Sequence, residues 1–234
     1  MAKDAQSDIL SELLRRFSQE RILDEVMLIG SWCLAVYRSA LAGTGHFPVV
    51  RTLDADFLIP NPKGLKREVD IPVLLKELGF VPTHYRSSGW VVYDHSELRV
   101  EFLIPELGRG SDSAHEIKKL HVKAQGLRYL NLLADHPRRL LYTGLSVCVP
   151  EPAAFALQKL IISERRLNKV KRQRDTDTAV AVLDYVFSNP SELNRLKVIL
   201  RGLPGGWLKT LSGLSGKNHE GLSVLLSALR KSEV

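Results

Sequence analysis

Two aspartates one residue apart, Asp54 and Asp56 in Arg51-Thr52-Leu53-Asp54-Ala55-Asp56-Phe57-Leu58-Ile59-Pro60, have the type and spacing to do chemistry. Side chains in a strand alternate between faces, so Asp54, Asp56 and Leu58 point one way and Leu53, Ala55, Phe57 and Ile59 the other. The apolar set can bury itself, which leaves both acids on a common open face. Two carboxylates held roughly 7 Å apart at the backbone repel unless a cation sits between them or one takes a proton. A divalent ion is the more useful answer. Further along, Arg99, Glu101 and Leu103 share one face of a second strand, opposite Val100, Phe102 and Ile104, so Glu101 is placed to join the aspartates. Upstream, Gly30-Ser31 supplies a turn in which phosphate can approach the backbone, the Ser31 hydroxyl can donate to a phosphate oxygen, and a helix N-terminus favours anions. Each piece alone is ordinary; together they suit phosphoryl or nucleotidyl transfer. In that chemistry two magnesium ions roughly 3.5 to 4 Å apart grip the attacking oxygen, the phosphate and the leaving group. Carboxylate oxygens are the ligands magnesium prefers.

These residues need elements to hold them. Ile9, Leu10, Leu13, Leu14 and Phe17 recur at helical spacing, which predicts an amphipathic helix over 5–18. Val26-Met27-Leu28-Ile29 reads as a short buried strand, and Trp32 to Leu41 as a buried helix ended by Gly43 and Gly45. The acid-bearing strand closes at Pro60-Asn61-Pro62, and 70–78 reads as a helix with Pro72 in its first turn. Two strands over 89–93 and 98–104, turned by Asp94-His95-Ser96, bring Glu101 into the sheet. Short strands are expected over 118–121, 139–142 and 146–149.

Pro150-Glu151-Pro152 starts a helix running to about Leu167, followed by helices over 175–187, 191–201 and 219–231. The composition shift near Pro150 divides a mixed α/β part, 1–149, from a helical part, 150–234. The fold class is therefore α+β, a mixed sheet flanked by helices and followed by a helical C-terminal part. Lys159 has Ser163 and Arg166 on its helical face, opposite Ala153, Ala156, Leu157, Leu160 and Ile161; the row reads as a cationic ridge or as a plain solvated face. Arg165, Arg166, Lys169, Lys171, Arg172 and Arg174 crowd the same region, and Asp175 and Asp177 can orient them or favour the start of the next helix.

At 234 residues, with 44% hydrophobic and 25% charged residues, the chain has the composition of a globular protein with a sizeable core. The net charge of +7 attracts polyanions such as nucleotides or RNA. No apolar run is long enough to span a bilayer, and MAKDAQSDIL lacks the apolar core of a secretory signal, so a cytoplasmic protein is expected. Cys33 and Cys148 are too few for a disulfide framework or a thiolate zinc site, and the seven histidines form no zinc-type pair.

An apolar strand, Gly-Ser, a helix and then an acid-x-acid strand resembles the polymerase-β-type nucleotidyltransferase superfamily over residues 25–103, on Leu28-Ile29-Gly30-Ser31 and Asp54-Ala55-Asp56. The arginine and threonine ahead of the acids, and Leu157-Gln158-Lys159-Leu160 with the basic run through Arg174-Asp175-Thr176-Asp177, look like the bacterial branch that includes abortive-infection-type toxins. The resemblance implies metal binding by Asp54 and Asp56, phosphate contact by Ser31, triphosphate contact by Lys159, and the third-acid position for Glu101. The chain departs from the pattern in its long spacer between Ser31 and Asp54, in Trp32, and in a glutamate where aspartate is commoner.

The expected activity is magnesium-dependent transfer of a nucleoside monophosphate from a nucleoside triphosphate to an acceptor hydroxyl, with release of pyrophosphate. RNA, a protein or a small molecule such as an antibiotic can supply that hydroxyl, and a toxin-like enzyme would have an antitoxin partner. A non-catalytic nucleotide- or RNA-binding module on the same fold is the alternative.

Overall fold

Strand order decides which side chains the two aspartates meet. A computed structural model describes residues 5–41, 47–49, 52–86, 88–106 and 114–232. The chain forms two compact units, one of Met1–Ala40 with Val50–Pro150 and the other of Leu41–Val49 with Glu151–Val234.

In the first unit the apolar strand β1 (Met27–Ile29) pairs antiparallel with β2 (Asp54–Leu58), which carries the aspartates. β2 pairs parallel with β5 (Arg99–Pro105), and β5 antiparallel with β4 (Trp90–Asp94) through the tight turn at Asp94-His95-Ser96. Beyond β4 lies the edge strand β3 (Val81–Tyr85), while β7 (Val122–Leu127) pairs with β5 and with β6 (Ala114–Ile117) to complete a seven-stranded mixed sheet. A second hairpin, β8 (Pro137–Tyr142) with β9 (Leu145–Pro150), lies beside β1.

The face opposite the acids is the core. Phe57 meets Phe17 of helix α1 (Ala5–Gln19) with ring centroids 5.2 Å apart and stacks on Phe102 at 6.0 Å, and Tyr93 sets its edge on Phe102 at 6.1 Å. Burying one such side chain contributes about 2 kcal/mol. Helix α2 (Cys33–Ala40) is anchored at Tyr37, whose hydroxyl donates to the Pro150 carbonyl at 2.7 Å. Helix α3 (Ile71–Glu77) starts on Asp70, which accepts from the Val73 N–H, and a short α4 (Asn131–Ala134) precedes β8.

The second unit consists of α5 (Pro152–Ser163), α6 (Lys169–Ser188), α7 (Pro190–Gly202), α8 (Gly205–Asn218) and α9 (Glu220–Ser232), with Phe47 packed on Tyr185 at 4.8 Å. The architecture as a whole is mixed α+β, a mixed sheet flanked by helices and several C-terminal helices.

Several local expectations change: α5 stops at Ser163 and not near Leu167, and β6 and β7 flank the stretch expected to be one strand. Residues 118–120 form a 3-10 turn between β6 and β7, because His121 takes a left-handed conformation with φ 55° that breaks an extended run. All five residues of strand β3 are exposed, so no buried alternation marks it in the sequence, and among the described residues its strand partner is β4. Helix α6 begins at Lys169 instead of Asp175, capped by Asn168, and its first two turns are too solvated to show an apolar period. Helix α8 contains four glycines, which mask helical propensity; burial of Leu211 and Ser215 overrides them. Gly43, Gly45 and Arg51 lie outside the described residues.

Candidate active site

The site grows from the end of β1. Ile29 is extended, and Gly30 then turns the chain with φ +70°, a left-handed conformation that glycine adopts without strain. Gly30–Trp32 form one 3-10 turn that feeds directly into α2, the Cys33 N–H bonding to the Gly30 and Ser31 carbonyls. Space favours glycine here as well: a Cβ on residue 30 would push the Asp56 carboxylate aside at Oδ2. The Gly30-Ser31 corner and the second aspartate are therefore in direct apposition. Trp32, the unusual residue of this turn, has its indole Nε1 buried with no hydrogen-bond partner among the described residues.

Strand register aligns the rest. Ile29 is the partner of Asp56 across β1 and β2, and Asp56 is the partner of Glu101 across β2 and β5, so corner, aspartate and glutamate form one row over three strands. Asp54, two residues earlier and exposed, is partnered with Arg99 instead. Its backbone N–H donates to the Thr52 hydroxyl at 3.3 Å, so Thr52 organises the start of the strand. The Arg99 Nε donates to Asp94 Oδ1 at 2.6 Å, and the Thr83 hydroxyl donates to Asp94 Oδ2 at 2.7 Å. Burial works to raise the Asp94 pKa, but these two hydrogen bonds and the guanidinium charge outweigh it and hold the carboxyl below its usual range.

Glu101 is the electrostatic centre of the row. Burial, then the negative charges of Asp56 and Asp54, push its pKa up to about 8. A carboxyl that holds a proton so far above the usual carboxylate range lies in a field short of positive charge, and a divalent cation would relieve that field. The donor set of three hard carboxylates on one sheet face fits magnesium in chemistry. As placed, no three His, Cys, Asp or Glu side chains among the described residues converge closely enough to hold a metal ion. The register accounts for this, since it brings Glu101 to Asp56 and sets Asp54 one repeat along the strand.

In the second unit, Lys159 is neither a solvated face nor a free ridge. Its Nζ donates to Asp175 Oδ1 at 2.7 Å and lies 5.7 Å from the centre of the Phe155 ring, with 12% of the lysine side chain and 9% of the aspartate exposed. The Arg166 Nε donates to the other oxygen of Asp175 at 3.0 Å, so one carboxylate orders both cations. Ser163, expected on that face, is buried and donates to the Leu160 carbonyl at 2.8 Å. Asp177 accepts from the Gln173 amide instead of a cation.

Residue spacing alone passed over the Arg99–Asp94–Thr83 network. The tight turn at 95–98 was the available signal, because it fixes Asp94 opposite Arg99.

The mixed sheet flanked by helices is a nucleotidyltransferase-like fold. The chain belongs to a nucleotidyltransferase family, whose family model matches residues 9–195. Among solved structures, an antigenic nucleotidyltransferase-like protein from Paracoccidioides brasiliensis has the same fold at 16% identity, with TM-score 0.53 over 97% of this chain and 94% of that one. The antibiotic-resistance factor ANT(2'')-Ia, solved in solution, is similar at 10% identity, with TM-score 0.45 over 84% of this chain and 91% of that one. No curated protein matches by sequence. No helix among the described residues is long and apolar enough to cross a membrane.

Proposed function

We propose that the chain transfers a nucleoside monophosphate from a nucleoside triphosphate to an acceptor hydroxyl, releasing pyrophosphate, in a magnesium-dependent reaction. The observation that carries this reading is the row Ile29, Asp56, Glu101 across three strands, with the Gly30-Ser31 corner against Asp56 at its end.

Gly30 lets phosphate approach the backbone, and the Ser31 hydroxyl donates to a phosphate oxygen. Asp54, Asp56 and Glu101 are the residues that would hold magnesium, which when bound supplies neutralisation of the crowded phosphate oxygens. Glu101 has a second task. As the alternative to holding metal, its carboxylate would activate the acceptor by taking the proton from the attacking hydroxyl. The family resemblance alone gives Lys159, whose ammonium pairs with Asp175, contact with the triphosphate.

The net charge of +7 favours a polyanionic acceptor such as RNA over a cationic antibiotic, and a toxin-like enzyme restrained by an antitoxin partner follows from the same resemblance. Incubation with α-labelled triphosphate, magnesium and candidate acceptors tests the reading. Label on RNA, protein or a small molecule names the acceptor. Tight triphosphate binding with no pyrophosphate release in any mixture would replace the reading with a non-catalytic nucleotide-binding module.

A further inference from the structure

Helices α5 and α6 form a hairpin in the second unit, tied across by the Lys159–Asp175 pair. The connection, 164–168, and the opening of α6 make its tip. Every residue from Glu164 to Arg174 is exposed, so the first six residues of α6 meet solvent on all sides and the tip projects. Six basic residues lie in this stretch, Arg165, Arg166, Lys169, Lys171, Arg172 and Arg174, against one acid, Glu164. Asp175 engages Arg166, whereas the Arg172 Nη2 donates to the Glu164 carbonyl at 3.2 Å, a neutral partner that leaves its charge in place. The positive end of the 20-residue α6 adds to the field.

Two apolar side chains stand in the middle of this charge. Leu167 is 101% exposed, the most exposed large apolar residue among those described, and Val170, three positions on, is 77% exposed. Between them Asn168 caps α6 by accepting from the Lys171 N–H at 3.0 Å, which fixes the turn that carries both. A leucine held fully in water contributes no burial to the fold. A partner that accepts charge and apolar side chains together would recover that burial.

We propose that the α5–α6 tip docks the protein on an anionic lipid surface, with Leu167 and Val170 entering the acyl boundary and the surrounding lysines and arginines at the headgroups. The charge calls for an anionic partner. The apolar pair calls for one with an apolar interior, which a phosphate backbone does not offer. A projecting tip has no groove to receive a peptide, whereas a bilayer surface admits side chains to a depth of about 5–10 Å. Lysine and arginine stems lie along such a boundary while their charges stay in water. The inference does not depend on the transferase reading.

The test is co-sedimentation of the full chain with vesicles of phosphatidylcholine alone and of equal parts phosphatidylcholine and phosphatidylglycerol. The chain should pellet with the mixed vesicles and stay in solution with the neutral ones. Salt at about 1 M, where the Debye length is about 3 Å, should release much of it. Leu167→Ser with Val170→Ser should lower partitioning about tenfold or more. Lys169→Gln with Lys171→Gln should lower it about fivefold for each lysine. All four side chains lie in solvent, so melting temperatures should match wild type. Mixed vesicles left unbound, equal binding to both vesicle types, or equal binding by wild type and the serine pair overturns the proposal. RNA binding that ignores the serine pair, with no vesicle binding, overturns it too and assigns the tip to a phosphate backbone. If the serine pair does not fold, the lysine pair and the contrast between the two vesicle types decide.

Discussion

Gly30 lies so close to Asp56 that a Cβ on residue 30 would collide with the aspartate carboxylate. One residue thus serves two needs: a turn at φ +70° and the close approach of an acid side chain.

Gly30→Ala should therefore damage both stability and turnover. The left-handed conformation costs a residue with a Cβ about 1–2 kcal/mol, and displacing Asp56 adds to it. Thermal melting should show the loss, and turnover should fall further than the melt explains; an alanine variant of normal activity contradicts the apposition.

Asp54→Ala and Asp56→Ala should each abolish turnover while circular dichroism and melting show an intact fold, since neither side chain belongs to the apolar core. Asp56→Asn has a second readout. It removes a negative neighbour of Glu101, so in denaturant titrations the pH at which the Glu101-linked loss of stability levels off should move down.

Glu101 sets a pH dependence whose sign can be worked out. Its carboxyl goes from an ordinary 4.5 to about 8 in the fold, so between these values the unfolded chain has released a proton that the folded chain keeps. Stability then falls as pH rises through that window and levels off above it. In metal-free protein Glu101→Gln should lack this decline, gaining on wild type from pH 4.5 towards 8 in denaturant titrations. Adding magnesium at the upper end should stabilise wild type more than the variant.

Asp175→Ala would strand Lys159, whose side chain is only 12% exposed, without its partner. Breaking a buried pair on one side costs about 3 kcal/mol or more. Lys159→Met with Asp175→Ala should recover much of that loss in chemical denaturation, because no buried charge is then left alone.

The local pieces of the site are legible in the residues. Gly30-Ser31 after an apolar strand, the acid-x-acid alternation of Asp54 to Ile59, and the turn that lifts Glu101 into a sheet all depend on near neighbours, where periodicity and turn chemistry act. Elements without an apolar period escaped that reading. β3 buries none of its residues, and α8 carries glycines that only packing overrides.

By itself the sequence determined the residue types, the face each occupies on its own strand and the corner that opens α2, because these follow from spacing along the chain. Only the tertiary structure decided that Glu101 stands opposite Asp56 while Asp54 stands opposite Arg99, and that Asp175 ties Lys159 to Arg166. Register between strands more than forty positions apart, and pairing across two helices, are set by non-local packing: a slip of one residue would turn every side chain of a strand to the other face.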